Sequence, residues 1–231
     1  MKTTNLKTAA ITALFGIGLL AGCTNSTTNQ KTSDMKTLNL TQEWDKTFPQ
    51  SDKVNHSKVT FTNRYGITLA ADMYVPKNAT GKLPAIAVCG PFGAVKEQAA
   101  GLYAQTMAER GFLTVAFDPS YTGESGGEPR YVVSPDINTE DFSAAVDFLA
   151  TNDKVDPEQI GIIGICGWGG LAINAAAADP RIKATVASTM YDMSRVNANG
   201  YFDADDSAEA RNALRKKLAV QRTCLLYTSP S

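Results

Sequence analysis

The residue best suited to chemistry is Cys166, which stands between two segments of contrasting pattern. The run from Ile160 to Gly164 is short and β-branched and predicts a fully buried strand, whereas Leu171 to Ala178 is rich in alanine and predicts a helix. The chain must turn sharply between Ile165 and Gly170, with Cys166 at the apex. A thiol there would project from the C-terminal edge of a parallel sheet at a helix N-terminus, where the helix dipole and free N–H groups favour a thiolate. The pattern predicts a nucleophile; the alternative is a small buried thiol of the kind that folded proteins favour.

The segment from Gly164 to Trp168, with the sequence GICGW, resembles the nucleophile elbow G-x-S-x-G of the α/β-hydrolase superfamily. Cysteine replaces serine, as in dienelactone-hydrolase-like members. The segment departs from the pattern at Trp168, where a small residue is expected because its Cβ crowds the turn. A register that makes Gly169 the small residue would place Gly167, which has no nucleophilic group, at the apex. Cys166 is therefore the predicted nucleophile.

Acyl transfer also needs hydrogen-bond donors for the oxyanion. The resemblance assigns one to the backbone N–H of Gly167 and a second to the loop that follows the predicted strand at 85–89. In that loop Pro91 has no N–H. Phe92 is therefore the first choice for the second donor, and Gly93 is the other candidate. The alternative is a plain tight turn into the next helix.

The partners of the nucleophile are missing from the sequence. In the α/β-hydrolase fold the catalytic acid and then the histidine follow the nucleophile along the chain, each after a further strand. His56 is the sole histidine; it precedes the first convincing strand and is expected to face solvent. An enzyme that has lost its catalytic triad would explain only the missing histidine. A truncated gene would explain the missing strands, acid and histidine together.

The C-terminal residues 224–231 resemble a translated sequencing adapter, in which case the authentic sequence stops near Thr223. The alternative is an ordinary polar tail. A chain that stops before two further strands is expected to be inactive and poorly stable, because it leaves a sheet edge unpaired and apolar surface exposed.

The composition suits one globular domain, since the 231 residues carry a net charge of −1 and 43% are hydrophobic. Nothing in this charge balance recruits nucleic acid. The four cysteines, at positions 23, 89, 166 and 224, have no metal-type spacing, and no disulfide framework is expected. The glycines around Gly164 have the wrong spacing for a dinucleotide-binding loop. No metal or organic cofactor is implied.

The N-terminus resembles a bacterial lipoprotein signal. Lys2 and Lys7 precede an apolar stretch too short to span a bilayer, and residues 20–23 (LAGC) fit a lipobox. The resemblance implies a signal peptide at 1–22, lipidation of Cys23 and anchoring in the cell envelope, at the outer membrane or the periplasmic face if the cell has an outer membrane. The alternative is an ordinary secretory signal. Residues 23–37 are polar and predict a flexible tether before a partial hydrolase domain at 38–223.

The elements that would position the site follow in an α/β order. Alternating patterns predict an edge hairpin from Val59–Asn63 and Leu69–Val75. Buried strands are predicted at 85–89, 113–117, 160–164 and 184–187. Helices are predicted at 96–110, ending at Gly111, and from Asn138, which is expected to cap its helix. This order predicts a mostly parallel open sheet with helices on both faces.

Residues 191–206 and a helix at 207–222 predict a lid over the pocket or, alternatively, a solvated helix on the flank of the sheet. Asp118 resembles the residue that ends the fourth strand of α/β-hydrolases and shapes the pocket rim. Ser125 lacks a strand and a helix beside it and is expected to be a turn residue.

Two classes of function remain open. The resemblance implies a lipid-anchored hydrolase in which Cys166 attacks a small-molecule ester, lactone or thioester, with peptide substrates less favoured. The second class is a non-catalytic surface lipoprotein that uses the same fold for binding, which the bulk of Trp168 favours.

Overall fold

The computed structural model describes the backbone of residues 38–228 and the side chains of residues 38–224. The predicted signal peptide (1–22), the lipidation site Cys23 and the predicted tether (23–37) lie outside the described residues. The described part contains six strands, namely β1 (Val54–Thr62), β2 (Thr68–Pro76), β3 (Leu83–Cys89), β4 (Leu113–Phe117), β5 (Val155–Ile165) and β6 (Ile182–Ser188). It also contains five α-helices, namely α1 (Ala99–Ala108), α2 (Pro135–Ala150), α3 (Gly167–Ala178), α4 (Met193–Asn199) and α5 (Ala208–Thr228).

The strands form one sheet in the order β1-β2-β4-β3-β5-β6. β1 and β2 form the predicted antiparallel hairpin at one edge, and β2 pairs antiparallel with β4. The remaining pairs, β4 with β3, β3 with β5 and β5 with β6, are parallel. The predicted α/β fold with a mostly parallel open sheet is confirmed. The parallel strands bring the ends of β3, β4 and β5 to the same edge of the sheet.

Different helices cover the two faces of the sheet. α1 packs three alanines, Ala100, Ala104 and Ala108, against one face. α2 and α3 cover the other face, where Phe142 and Trp168 join the main apolar core. Because both faces are covered, β3 and β4 are apolar along almost their whole length, as parallel strands in α/β proteins are.

Helix α1 begins later than predicted. Lys96 was expected to start it, but the backbone N–H of Lys96 donates to the carboxylate of Asp118 (2.8 Å) and the helix begins at Ala99. The helix ends at Ala108, with Glu109 as the capping residue. The prediction that Gly111 caps it is wrong: Gly111, at φ 103°, turns the chain into β4 instead.

Helix α2 begins earlier than predicted, and Asn138 is not its cap. Ser134 caps the helix, since its hydroxyl accepts a hydrogen bond from the N–H of Ile137 (3.5 Å), and Pro135 occupies the first helical position. Asn138 is buried and donates to Asp141 (3.0 Å).

The carboxylate of Asp141 joins three parts of the fold. It accepts hydrogen bonds from the amide of Asn63 (2.8 Å), at the end of β1, and from the N–H and hydroxyl of Ser120 (2.8 Å each), which follows β4. Together with Asn138 these donors surround a fully buried carboxylate. The network fixes the start of α2 against the loop that follows β4.

The region after β6 contains α4, a 3₁₀ turn at Tyr201–Asp203 and α5. Asp192 caps α4 by accepting from the N–H of Arg195 (2.9 Å). The side chains of α5 that are described are exposed along most of the helix, and its backbone stays helical through residues 224–228, the first part of the segment predicted to be adapter-derived. None of the helices in the described region is long and apolar enough to cross a membrane.

Candidate active site

Cys166 is the single residue between the end of β5 at Ile165 and the start of α3 at Gly167. The turn is tighter than predicted, because α3 begins before Leu171. Cys166 is half-buried and has φ 59° and ψ −126°, a conformation that is uncommon for a non-glycine residue. Strained backbone of this kind at a strand-to-helix turn is the geometry that the resemblance to a nucleophile elbow predicts.

The backbone of Cys166 is held on both sides. Its N–H donates to the carbonyl of Ser188, the last residue of β6 (2.8 Å). Its carbonyl accepts from the N–H of Gly169 (3.0 Å) and of Tyr191 (3.4 Å). The elbow is therefore fastened to the end of the neighbouring strand and to the segment that leads into α4.

The expectation that position 168 must be small is wrong. The side chain of Trp168 is 2% exposed and lies in the core, with its ring 5.8 Å from that of Phe92 and 6.4 Å from that of Phe142. The crowded position is Gly164, where a Cβ would overlap the carbonyl oxygen of Trp168. Because the indole is buried in the core, its bulk no longer favours a non-catalytic role.

The loop after β3 lies against the elbow, as the resemblance implied. The ring of Phe92 packs so closely on Gly167 that a Cβ on Gly167 would overlap it. A turn closed by the N–H of Ala94 and the carbonyl of Pro91 (3.1 Å) brings the chain through Phe92 and Gly93, which has φ 74°. Gly167 is the first residue of α3, so its N–H has no acceptor within the helix. Phe92 and Gly167 are thus neighbours, whereas Gly93 is exposed.

A cavity of about 550 Å³ opens beside Gly167. Its wall comes from the loop after β3, the start of α2, helix α3 and the segment 190–197. Most of the wall is apolar and consists of Phe92, Val133, Pro135, Leu171, Ile173, Met190, Tyr191 and Met193. The polar side chains are those of Asn174, Asp192, Ser194 and Asn197. Cys166 adjoins this cavity through Gly167 but is not one of its lining residues. The predicted lid is therefore supported for residues 190–197, which wall the cavity, while α5 is not part of that wall.

His56 does not face solvent, and it does not precede the sheet. It lies in β1, and its Nε2 is 2.7 Å from Oδ1 of Asp72, a fully buried carboxylate in β2. Across the sheet His56 is in register with Tyr74, Thr114, Ile86 and Gly161. Four strand spacings separate β1 from β5, which is roughly 19 Å. His56 is therefore too far from Cys166 to act as its base.

A largely buried cluster of charged residues, which the sequence did not predict, lies next to the loop after β3. It contains three lysines and five carboxylates, namely Lys46, Lys58, Lys96, Asp45, Asp72, Glu97, Asp118 and Glu124. Burial lowers the pKa of Lys96, but the carboxylates around it outweigh burial and the pKa is raised. Lys96 is therefore an ammonium ion at neutral pH.

Two further predicted residues have structural roles. Asp118 directly follows β4 and is fully buried beside Lys96. Ser125 is buried in the following loop, where its hydroxyl donates to the carbonyl of Asp118 (2.7 Å) and accepts from the N–H of Ala70 (2.8 Å). These contacts agree with the prediction that Ser125 is a turn residue and not a nucleophile.

The other cysteine in the core, Cys89, is completely buried, and burial raises the pKa of its thiol. Cys89 and Cys166 form no disulfide. Among residues 38–224, no three histidine, cysteine or acidic side chains are grouped so that they could hold a metal ion.

Comparison with known proteins places the chain in a family. The model of the family described as X-Pro dipeptidyl-peptidase (S15 family) matches residues 65–224. Protein PA2218 of Pseudomonas aeruginosa is 64% identical over 208 residues, which cover 88% of this chain and 56% of that protein. Its crystal structure superposes with a TM-score of 0.79 at 66% identity and covers 83% of this chain and 60% of its own.

Two other relatives are more distant. YcjY of Escherichia coli is 44% identical over 159 residues, 67% of this chain and 52% of its own length. The thiohydrolase aneE of Aspergillus aculeatus is 35% identical over 133 residues, 58% of this chain and 41% of its own. The chain spans about half the length of the curated relatives that it matches.

The matched region contains the whole sheet from β2 onward, the elbow at Cys166, and the loop with Phe92. The sheet order and the strand-to-helix elbow are those of the α/β-hydrolase fold. The chain therefore belongs to the X-Pro dipeptidyl-peptidase (S15) family, a hydrolase-type enzyme family of the α/β-hydrolase superfamily.

Proposed function

We propose that this chain carries the nucleophile of a hydrolase that cleaves thioesters, esters or lactones of small carboxylic acids through Cys166. The observation that carries the proposal is the half-buried cysteine with φ 59° as the single residue between β5 and α3. A related protein is described as a thiohydrolase, which supports acyl chemistry on sulfur. The predicted likeness to dienelactone hydrolases is compatible with the same chemistry.

In this proposal the Cys166 thiolate attacks the carbonyl carbon, and the carbonyl electrons move to the oxygen. The N–H of Gly167 and that of Phe92, or of Gly93, donate to the oxyanion. Collapse of the tetrahedral intermediate releases the alcohol or thiol, which takes up a proton, and leaves an acyl-thioenzyme. Water then attacks the acyl carbon, the bond to sulfur breaks, and the products are the carboxylic acid and the free thiol of Cys166. We assign the attack and the oxyanion step to this chain; the described residues place no histidine beside Cys166.

The cavity supports an apolar acyl group as the bound part of the substrate. It opens beside Gly167, where the carbonyl would lie, and its wall is mostly apolar. A cavity of this size and character is typical of a site for a small organic ligand. Most of its polar side chains, Asp192 and Asn197 among them, come from α4 and the segment that leads into it, and would orient a polar end of the substrate.

The test is stoichiometric acetylation of the chain by p-nitrophenyl acetate, which does not depend on turnover. We expect one acetyl group on the peptide that contains Cys166, found by mass spectrometry, with release of one equivalent of p-nitrophenolate. Cys166→Ala is expected to abolish this reaction. Cys89→Ala, which removes the buried thiol, is the matched control and is expected to keep it. Equal acetylation in Cys166→Ala would contradict the proposal.

We further propose that the protein is anchored to the membrane of the cell envelope through a lipid on Cys23. The lipobox sequence at residues 20–23 supports this proposal. Expression in a bacterial host with labelled palmitate is expected to label the protein, and Cys23→Ser is expected to prevent labelling. Labelling that survives Cys23→Ser would contradict the anchor.

A further inference from the structure

Lys96, which follows the loop of residues 90–95, is enclosed by carboxylates. Its side chain is 0% exposed, and its ammonium group lies 2.6 Å from Glu97, 2.7 Å from Glu124 and 2.8 Å from Asp118. The cluster continues to Lys58, which lies 3.0 Å from Glu124 and 3.1 Å from Glu97. A buried ammonium with this many charged partners is held in one position, because leaving it unpaired would be costly.

Asp118 binds Lys96 twice. The backbone N–H of Lys96 donates to Oδ1 and its ammonium donates to Oδ2, both at 2.8 Å. Asp118 is itself fixed to the sheet, because its N–H donates to the carbonyl of Ala70 in β2 (2.9 Å). The N–H of Glu124 also donates to Oδ2 (2.9 Å). The pair therefore fixes the main chain at Lys96 relative to the strands, in addition to the side chain.

This fixed point lies close to the candidate oxyanion donor. The loop leaves the sheet at Cys89, the end of β3, passes through the turn between Pro91 and Ala94, and reaches Lys96. Both ends of the loop are thus held by the sheet, one through β3 and the other through Asp118. Phe92 lies between these two points, against Gly167.

We propose that Lys96 is a positioning residue: its ion pair with Asp118 holds the 90–95 loop so that the Phe92 N–H points at the oxyanion formed on attack by Cys166. The proposal rests on the proposed function and deepens it. Oxyanion donors act over a narrow range of distances, so a small displacement of the loop weakens the stabilisation of the transition state.

The test compares two reactions of the same thiolate. Acetylation by p-nitrophenyl acetate builds negative charge on a carbonyl oxygen and uses the oxyanion donors, whereas alkylation by iodoacetamide displaces iodide and does not. The ratio of the two rates, followed at Cys166 by mass spectrometry, is independent of the fraction of thiolate. Lys96→Met is expected to lower this ratio by roughly tenfold, a fraction of the loss caused by complete removal of an oxyanion donor.

Lys58→Met is the matched control. Lys58 shares Glu97 and Glu124 with Lys96, but it lies in β1 and has no backbone connection to the loop. Its replacement is expected to reduce stability and leave the ratio unchanged. An unchanged ratio in Lys96→Met, or an equal fall in both variants, would overturn the positioning role. If Lys96→Met does not fold, Asp118→Asn takes its place, with the same fall expected and the same outcome against it.

Amide hydrogen exchange separates this inference from the proposed function. Lys96→Met is expected to speed exchange in residues 90–95, and Lys58→Met is not. If Cys166 is not acetylated at all, the proposed function fails, while faster exchange in the loop of Lys96→Met still supports the holding role of Lys96. Equal exchange in the two variants would refute that role.

Discussion

Gly164 lies directly against the carbonyl oxygen of Trp168, so closely that a Cβ on Gly164 would overlap it. The Cβ of Ala172 would lie 2.8 Å from the same added atom. The end of β5 and the first turns of α3 are thus in direct contact, and this contact is why Cys166 alone connects them.

Gly164→Ala is expected to destabilise the protein by roughly 3 kcal/mol, at the upper end of the cost of overpacking, because the obstacle is backbone and cannot rotate away. The free energy of unfolding in urea measures the effect. Gly170→Ala is the matched control. It lies in α3, on the other side of Cys166, and its Cβ would meet the carbonyl of Tyr191 at 3.2 Å, which a small shift can relieve. Equal stability in the two variants would contradict the close contact.

The local pattern of the sequence predicted the sheet and the elbow because both depend on nearby residues. β3, β4 and the second half of β5 are apolar runs, and Cys166 stands between a β-branched run and an alanine-rich one. The direction of the Trp168 side chain could not be predicted this way, since it depends on the space that α2 leaves in the core. The sequence favoured Asn138 as the N-cap of α2 because asparagine is a common N-cap residue. In the structure the Asn138 side chain instead donates a hydrogen bond to the buried Asp141.

The charged cluster could not be predicted either, because most of its ion pairs join distant segments. Lys96 meets Asp118 and Glu124, which are 22 and 28 positions away. His56 meets Asp72 across the hairpin, 16 positions away. The one available signal was the position of Asp118 at the end of a buried strand, where a charged side chain needs a partner of opposite charge. The sequence does not say which lysine supplies it.

Acid is expected to destabilise the protein through Glu124. Burial raises the pKa of Glu124, but hydrogen bonds from Lys96, the N–H of Thr41 and Lys58 outweigh it and lower the pKa from 4.5 to about 2. Between these values the unfolded chain binds more protons than the folded one, so the free energy of unfolding falls as the pH falls from 4.5 towards 2.

Urea unfolding at a series of pH values tests this expectation. Glu124→Gln cannot titrate, and its stability is expected to fall less steeply over the same range, while it is already lower than that of the unsubstituted protein at neutral pH. Parallel curves for the two proteins would show that Glu124 does not contribute to the pH dependence.

Asp141→Ala is expected to cost at least about 3 kcal/mol, because it leaves several buried donors, from Asn63, Ser120 and Asn138, without their acceptor. The free energy of unfolding in urea again measures it. Asp136→Ala is the matched control in the first turn of the same helix. Asp136 is exposed, and its loss is expected to cost about 0.5 kcal/mol through the helix dipole. A small effect of Asp141→Ala would mean that the network does not anchor α2.

The cavity beside Gly167 should set the length of the acyl group that reaches Cys166. Ile173 lines it and is 45% exposed, so a larger side chain there can fill the cavity without disturbing the core. Ile173→Trp is expected to lower the rate of Cys166 acylation by p-nitrophenyl octanoate, relative to that by the acetate, by roughly tenfold, since poor fit of apolar groups in a pocket costs this much.

Leu102→Trp provides the control for the cavity. Leu102 is 46% exposed on α1, which covers the opposite face of the sheet, and the same change in size there should leave both rates unchanged. Mass spectrometry of the acylated peptide gives the rates with both esters. If Ile173→Trp slows the two esters equally, the substitution has altered the elbow itself. If it slows neither, the acyl chain lies elsewhere, and the cavity does not select the substrate.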